Sequence, residues 1–303
     1  MKFALIAFFY LLGSQMDVTD NLTVKNEGEP VASINRAELH MPIFGETVIN
    51  EQGYQQFVKE LKEKIHLKPV NAKIDDNGKI KEGKTGYMLN EYKFRAQFYA
   101  YYYSSGSAEM EIPKHTLHPE VDSELLANIR TKQIGSYVTY FNPTNKERSR
   151  NIKLAAEAIN SHVVFPGKTF SFNQVVGKRT KEKGYMSAPV IVKGELAEGI
   201  GGGICQVSST LFNAVDQAGV QIVKRFSHSR RVPYVPPGRD ATVSWYGPDF
   251  AFKNNYNQPV LIRAKVQGGR MIITIYSSEN INYESRNVPK APAHLPVEVE
   301  AHS

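Results

Sequence analysis

At 303 residues, with 41% hydrophobic and 22% charged side chains, the chain has the length of two ordinary domains and the composition of a soluble protein, which excludes collagen-like and low-complexity classes. Lys and Arg number 37 against 30 Asp and Glu, a formal charge of +7, and the pI is near 9.2, which suits an anionic neighbourhood. The basic residues are scattered, with no zinc spacing and no basic recognition helix, so nucleic acid is not expected as a partner.

Residues 1–16 carry Lys2 followed by an apolar run from Phe3 to Leu12. That run is shorter than the roughly 20 residues that span a bilayer, but it suits the apolar region of a secretory signal. Export to the extracytoplasmic side is the expectation; with no small-x-small cleavage site, an uncleaved anchor and a misassigned start stay open. Residues 17–45 have few periodic apolar positions and read as a spacer.

From Asn50 the pattern sharpens. Tyr54, Phe57, Val58, Leu61 and Ile65 form one apolar helical face opposed by Lys59, Glu60, Lys62, Glu63 and Lys64. Asp76-Asn77-Gly78, between Ala72, Ile74 and Ile80, signals a hairpin, since Asn-Gly supplies the positive φ of a tight turn. A second helix is predicted from about Asn90 through Phe94, Phe98 and the tyrosines at 99 and 101–103. Those rings invite a sugar-stacking role, although aromatics at helical spacing ordinarily face a core. Met110, Ile112 and Pro113 suggest an edge strand leaving this small α+β unit, set at residues 46–125.

Asp122–Ile134 reads as a linker and Tyr137–Phe141 as a strand opening a second domain at 135–280. Thr144 and Glu147 have capping-box spacing ahead of a helix with Ile152, Ala155, Ala156 and Ile159 inward. Strands are predicted at Thr169–Phe172, Ala188–Val192, Val220–Phe226 and Ala241–Trp245, with Lys193-Gly194 as a turn. A closing meander runs from Phe250 to Tyr276, and residues 281–303, with three prolines, read as a disordered tail.

The stretch Gly201-Gly202-Gly203-Ile204-Cys205 holds the one cysteine, and Val207, Leu211, Ala214, Val215 and Ala218 continue it as a helix that Gly219 ends. Cys205 therefore falls near a helix N-terminus, where the dipole and unpaired N–H groups favour a thiolate. The plainer reading, a buried cysteine packed as a small hydrophobe, has equal standing on position alone. One cysteine cannot form an internal disulfide, and an odd thiol in an exported chain calls for an explanation such as reactivity.

Two resemblances follow. Gly78 to Asn90, with the helix after it and the Ile112-Pro113 exit, resembles the peptidoglycan-binding module often found before VanW domains. Residues 148–278 resemble a VanW domain, on Arg150-Asn151-Ile152, Pro166-Gly167, Phe170-Ser171-Phe172-Asn173, Gly177, Gly184-Tyr185, Ala188-Pro189-Val190-Ile191, Gly199 to Thr210, His228-Ser229, Val235-Pro236-Pro237-Gly238, Asp240-Ala241-Thr242-Val243 and Phe252-Lys253-Asn254-Asn255. Arg230-Arg231 and Trp245-Tyr246 depart from that pattern. The fold implied is α+β, a small N-terminal α+β module followed by a β-rich VanW domain with a helix after the glycine-rich cysteine motif.

The resemblance implies an exported bacterial cell-wall protein, some relatives being understood to act as cysteine-dependent L,D-transpeptidases on peptidoglycan peptide stems. Cys205 then suits the nucleophile, His228 the base, and Asp240 the residue orienting the imidazole. His162 also lies in the domain but only ends a helix. Gly202 and Gly203 are oxyanion-hole candidates, and Gln206 and Ser208 substrate-binding candidates, with a tight turn and buried helix-start hydroxyls as the alternatives. No cofactor or metal is expected: ligand spacing is absent, and the glycine run lacks the Lys-Ser or Lys-Thr of a phosphate loop. Anionic wall polymers or a membrane surface are further partner expectations from the charge. The competing function is a non-catalytic wall-binding or glycopeptide-resistance accessory protein with a structural cysteine.

Overall fold

The computed structural model describes residues 20–43, 46–192 and 195–293. The expected signal at 1–16, the turn at Lys193-Gly194 and the end of the tail at 294–303 lie outside the described residues. The chain forms two compact units: one takes the described residues up to Val70 with Lys84–Glu120, the other Asn71–Gly83 with the chain from Val121 onward. Among the described residues no helix is long and apolar enough to cross a membrane.

The first unit opens with β1 (Asn21–Asn26) and β2 (Glu29–Asn35), an antiparallel hairpin. Leu22 and Val24 are fully buried and Leu22 pairs with Ile34, so this part of the expected spacer is core structure. Its alternation covers two inward positions per strand, too few to stand out as a periodic signal. A 3-10 turn and the pair β3 (His40–Ile43) and β4 (Glu46–Ile49) lead to α1 (Glu51–Ile65), which Asn50 caps by accepting from Gly53 N–H at 3.1 Å. The five apolar positions read from the sequence are the buried ones.

After α1 the chain leaves for β5 (Lys73–Ile74) and β6 (Ile80–Lys81), then returns as β7 (Gly86–Leu89), α2 (Glu91–Tyr102), β8 (Ala108–Glu111) and β9 (Lys114–Leu117). Strand β8 runs parallel to β1 at the edge of a three-stranded sheet, as an exit strand should. Helices α1 and α2 meet through aromatic rings, Tyr54 and Phe98 at 4.8 Å between centroids. Tyr101 and Tyr102 are buried, their hydroxyls donating to backbone carbonyls, so the inner tyrosines belong to this core; Tyr103 is exposed.

The Asn77-Gly78 hairpin, β5 and β6, belongs to the second unit, not to a 46–125 module. Ala72 and Ile74 cluster with Val121, Leu126, Ile129 and Leu261, and Ile74 exchanges both backbone hydrogen bonds with Ser161 Oγ, at 2.9 and 3.0 Å. The hairpin forms with Gly78 at φ 80°, but Asn77 is not at positive φ and the loop runs from Asp75 to Lys79, so it is not the tight primed turn that Asn-Gly suggests. The linker holds α3 (Ser123–Ile129), capped by Asp122.

The frame of the second unit is an antiparallel sheet. It contains β10 (Lys132–Tyr140), with α4 (Lys146–Ile159) and β11 (His162–Val164) following; β12 (Thr169–Ser171), α5 (Phe172–Val176) and the hairpin β13 (Ser187–Val192) and β14 (Glu195–Ile200) come next. Then come α6 (Ile204–Gln217), β15 (Gln221–Lys224), β16 (Ala251–Lys253), β17 (Val260–Gln267) and β18 (Arg270–Ser277). The main sheet runs β10-β18-β17-β11 and a smaller one β12-β16-β15. The cap of α4 falls on Asn145, which accepts from Arg148 N–H, while Thr144 turns its hydroxyl to Asn142.

Helix α6 is buried almost all round, with Phe212 edge-on to Phe250 and Gly135 of β10 letting its Ala214 carbonyl come close. Residues 281–293 are packed rather than a disordered tail. Ile281 and Val288 are buried, Tyr137 OH donates to Pro289 O at 2.8 Å, and Arg286 donates to Gln217 O, Asp216 and Gly219 O at the end of α6. The proline content that suggests disorder conceals a segment whose backbone finishes a helix.

Candidate active site

The site grows out of the turn before α6. Gly202 lies so close to β13 that an added Cβ would sit 2.5 Å from Ala188 O, and Gly203 caps the helix at φ 102°, where its Cβ would press on Arg148 and Ile152. No side chain caps the helix. Ile204 N–H bonds back to Gly201 O and Gln206 N–H to Gly203 O, and among the described residues no backbone carbonyl accepts from Cys205 N–H. The glycines thus place Cys205 in the first turn of α6, at its positive end.

Opposite the thiol runs the segment Arg239–Val243. The sequence predicts a strand from Ala241; the structure assigns no strand there, and several backbone groups of the stretch bond to side chains of α6 while Thr242 N–H donates to Phe226 O. Ala241 N–H donates to Ser209 Oγ at 2.9 Å, Ala241 O accepts from Ser208 Oγ at 2.6 Å, and Arg239 O accepts from Asn213 Nδ2 at 2.8 Å. Val243 N–H points at Cys205 Sγ at 3.5 Å, Val243 O lies 3.4 Å from it, and Thr242 Oγ1 is at 3.7 Å. A polar edge of the helix takes the place of a neighbouring strand, which fixes Asp240 in line with it.

Asp240 Oδ2 accepts from both His228 Nδ1 and His228 N–H at 2.6 Å, and both side chains are largely buried. Nδ1 is committed to Asp240, and the His228 side chain also interacts with Cys205, which lowers the thiol pKa. The structure therefore brings Cys205, His228 and Asp240 together at one place. His162, by contrast, packs edge-on to Phe170.

Electrostatics favour an ion pair. Burial pushes the Cys205 thiol up, but the His228 hydrogen bond and charge, Val243 N–H and Thr242 more than reverse this, and its pKa lies below the ordinary value. Burial pulls His228 down, but Asp240 and the cysteine raise it to about 9. Asp240, pushed up by burial, is held lower by its two bonds to His228. Each shift favours the charged form of its group, so the arrangement leans toward thiolate, imidazolium and carboxylate.

Gln206 and Ser208, the expected substrate contacts, are buried and turned to partners within the protein. Gln206 is fully buried, with Nε2 on Thr139 Oγ1 and Tyr140 O and Oε1 accepting from Arg148; Ser208 Oγ goes to Cys205 O and Ala241 O. Both are committed to holding the helix in place, since a buried polar atom needs its partner. Sequence reasoning missed Thr242 and Val243 as sulfur partners, and Arg179, whose guanidinium interacts with Cys205; as loop residues they carry no periodic signal. Trp245 and Tyr246 are exposed, with Lys178 over the Tyr246 ring. A recess of about 690 Å³ lined by Lys132, Tyr256 and Tyr283 lies at the other end of α6, by Gly219, away from this chemistry. Among the described residues no three His, Cys, Asp or Glu side chains gather as a metal donor set.

A helix entered through glycines and carrying a cysteine on a His-Asp pair is the centre of the domain matched by the family model described as VanW like protein, at residues 147–276. The chain belongs to the VanW family. It is 57% identical over 297 residues to uncharacterized protein YoaR of Bacillus subtilis (strain 168), covering 98% of each chain. It is also 33% identical over 110 residues to vancomycin B-type resistance protein VanW of Enterococcus faecalis (strain ATCC 700802 / V583), covering 35% of this chain and 40% of that one. No solved structure gives a significant match.

Proposed function

We propose that this chain is an exported cell-wall protein whose second unit is a cysteine acyltransferase of the L,D-transpeptidase type, acting on peptidoglycan peptide stems. The observation that carries the reading is the grouping of Cys205 beside His228, itself bonded to Asp240, at the uncapped end of α6. The Cys205 thiolate adds to the carbonyl of the penultimate stem residue, and the oxyanion meets the Cys205 and Gly203 N–H groups at the helix end. The His228 imidazolium gives its proton to the departing amine of the terminal D-residue as the C–N bond breaks, leaving a thioester. The side-chain amine of a second stem attacks the thioester, His228 takes up its proton, and the new amide leaves with the thiolate and imidazolium restored. Asp240 keeps the imidazole in the tautomer this exchange needs. The first unit, by this reading, supplies wall affinity, and the charge of +7 suits anionic wall polymers or a membrane surface.

Tetrapeptide-bearing muropeptides mixed with the protein should give 3-3 crosslinked dimers, release of the terminal D-residue and a thioester adduct by mass. Cys205→Ser should abolish all three while the fold survives, because an alcohol is hardly ionised where the thiol is. If wild type gives none of them with varied donors, and Cys205 resists alkylation until the protein unfolds, the chain is a wall-binding accessory protein instead.

A further inference from the structure

Arg179 sits in the loop after α5, its stem against the glycine turn that precedes Cys205: a Cβ placed on Gly201 would lie 3.5 Å from Arg179 Cβ. Its guanidinium lies 5.7 Å from the centroid of the Phe172 ring. Both terminal nitrogens, Nη1 and Nη2, are buried and have no hydrogen-bond partner among the described residues. The acid in its surroundings, Asp249, is spent elsewhere, accepting from Ser171 Oγ at 2.6 Å and from Asn173 N–H at 2.9 Å. Burial lowers the Arg179 pKa, and charge interactions with Tyr185, Cys205 and Asp249 oppose this.

A buried guanidinium without a carboxylate is costly unless something completes it, and its fork of N–H donors matches a carboxylate in two parallel bonds. We propose that Arg179 is the specificity residue of the site, receiving the free C-terminal carboxylate of the acyl donor, so that the attacked bond is the last one of a peptide. This rests on the acyltransferase reading above. Arg179 is close enough to Cys205 for their charges to interact, and consecutive residues are about 3.8 Å apart, so the carboxylate of a one-residue leaving group lies next to the attacked carbonyl. The glycine turn packs the Arg179 stem and the Phe172 ring lies beside the guanidinium, so the charged head is kept from water.

Two probes separate this proposal from the reading it rests on. Iodoacetate and iodoacetamide differ by a carboxylate against an amide, and both alkylate a thiolate without any peptidoglycan chemistry. In wild type the iodoacetate to iodoacetamide rate ratio at Cys205 should exceed that of a free thiol; Arg179→Gln should lower the ratio by roughly ten- to a hundredfold, the worth of a charge-assisted hydrogen bond, and Arg179→Lys should restore part of it. An unchanged ratio in both variants overturns the proposal. Because a variant can fail to fold, wild type is also tested alone: N-acetyl-D-alanine should protect Cys205 from iodoacetamide and N-acetyl-D-alaninamide should not, and equal protection or none by both overturns the proposal too. If the alkylation ratio and protection behave as expected while no muropeptide is ever acylated, the carboxylate site stands and the peptidoglycan reading falls.

Discussion

Helices α1 and α6 are nearly equal in length, 15 and 14 residues, yet they use their polar side chains in opposite ways. On α1 the polar residues face water and pair along the helix, Gln55 with Glu51 and Gln56 with Glu60, and an asparagine closes the N-terminus. On α6 the polar residues are buried and wired: Ser209 and Thr210 bond back to carbonyls one turn earlier, and Ser208, Ser209 and Asn213 hold a separate chain segment. The N-terminus of α6 is left uncapped by any side chain. An amphipathic helix is stabilised by its apolar face alone; α6 also gives up a cap and buries hydroxyls so that one thiol, one imidazole and one carboxylate meet.

The largest effect expected lies at His228. His228→Ala removes the hydrogen bond and charge that lower the Cys205 pKa, while burial, which raises it, remains. Acylation should slow by roughly a hundredfold to ten-thousandfold, and the pH profile of iodoacetamide alkylation should move to more alkaline pH. In wild type the thiolate should persist below the ordinary thiol range and be lost as pH falls through its lowered pKa, and the proposed transfer should decline as pH rises past about 9 and His228 loses its proton. A wild-type alkylation profile like that of a free cysteine would dissolve the contrast between the two helices.

Next comes the glycine turn. Gly202→Ala places a methyl 2.5 Å from Ala188 O, a backbone atom that cannot swing away, so β13 or the start of α6 must shift. A loss of about 3 kcal/mol, at the upper end for overpacking, is expected from denaturant unfolding, with slower alkylation as Cys205 moves. Ser209→Ala is smaller. It leaves Ala241 N–H buried without its acceptor, at a cost of about 2 kcal/mol, and loosens the segment that carries Asp240, so the His228 pKa followed by NMR should fall toward its ordinary value.

The legible parts of this chain were those with a period. The α1 face and the run from Val207 to Ala218 could be read because burial repeats every three or four residues, and Cys205, His228 and Asp240 because they stand in family motifs. What escaped reading lacks a period. The β1–β2 hairpin has too few inward positions, and residues 281–293 bury only scattered apolar side chains such as Ile281 and Val288 with no period, beside backbone carbonyls and Arg286. Residues 241–243 have the composition of a strand, but Ala241 is satisfied by serines 32 or so positions away in sequence and Thr242 N–H by Phe226 O, and no local pattern reports that. Gln206 and Ser208 misled for the same reason: adjacency to a nucleophile says nothing about which way a side chain on a helix points.

The smallest effect belongs to α1 and sharpens the comparison from the other side. Asn50→Ala removes the acceptor for Gly53 N–H, a cap worth about 1 kcal/mol, without altering any group near the thiol. Hydrogen exchange should show faster opening of the first turn of α1. Cys205 alkylation and the His228 titration should stay as in wild type, because the first unit has its own aromatic core of Tyr54, Phe57, Phe94 and Phe98 to hold the helix. If loss of this one cap instead speeds alkylation of Cys205, the open end of α6 depends on the stability of the first unit, and the two helices differ in degree rather than in kind.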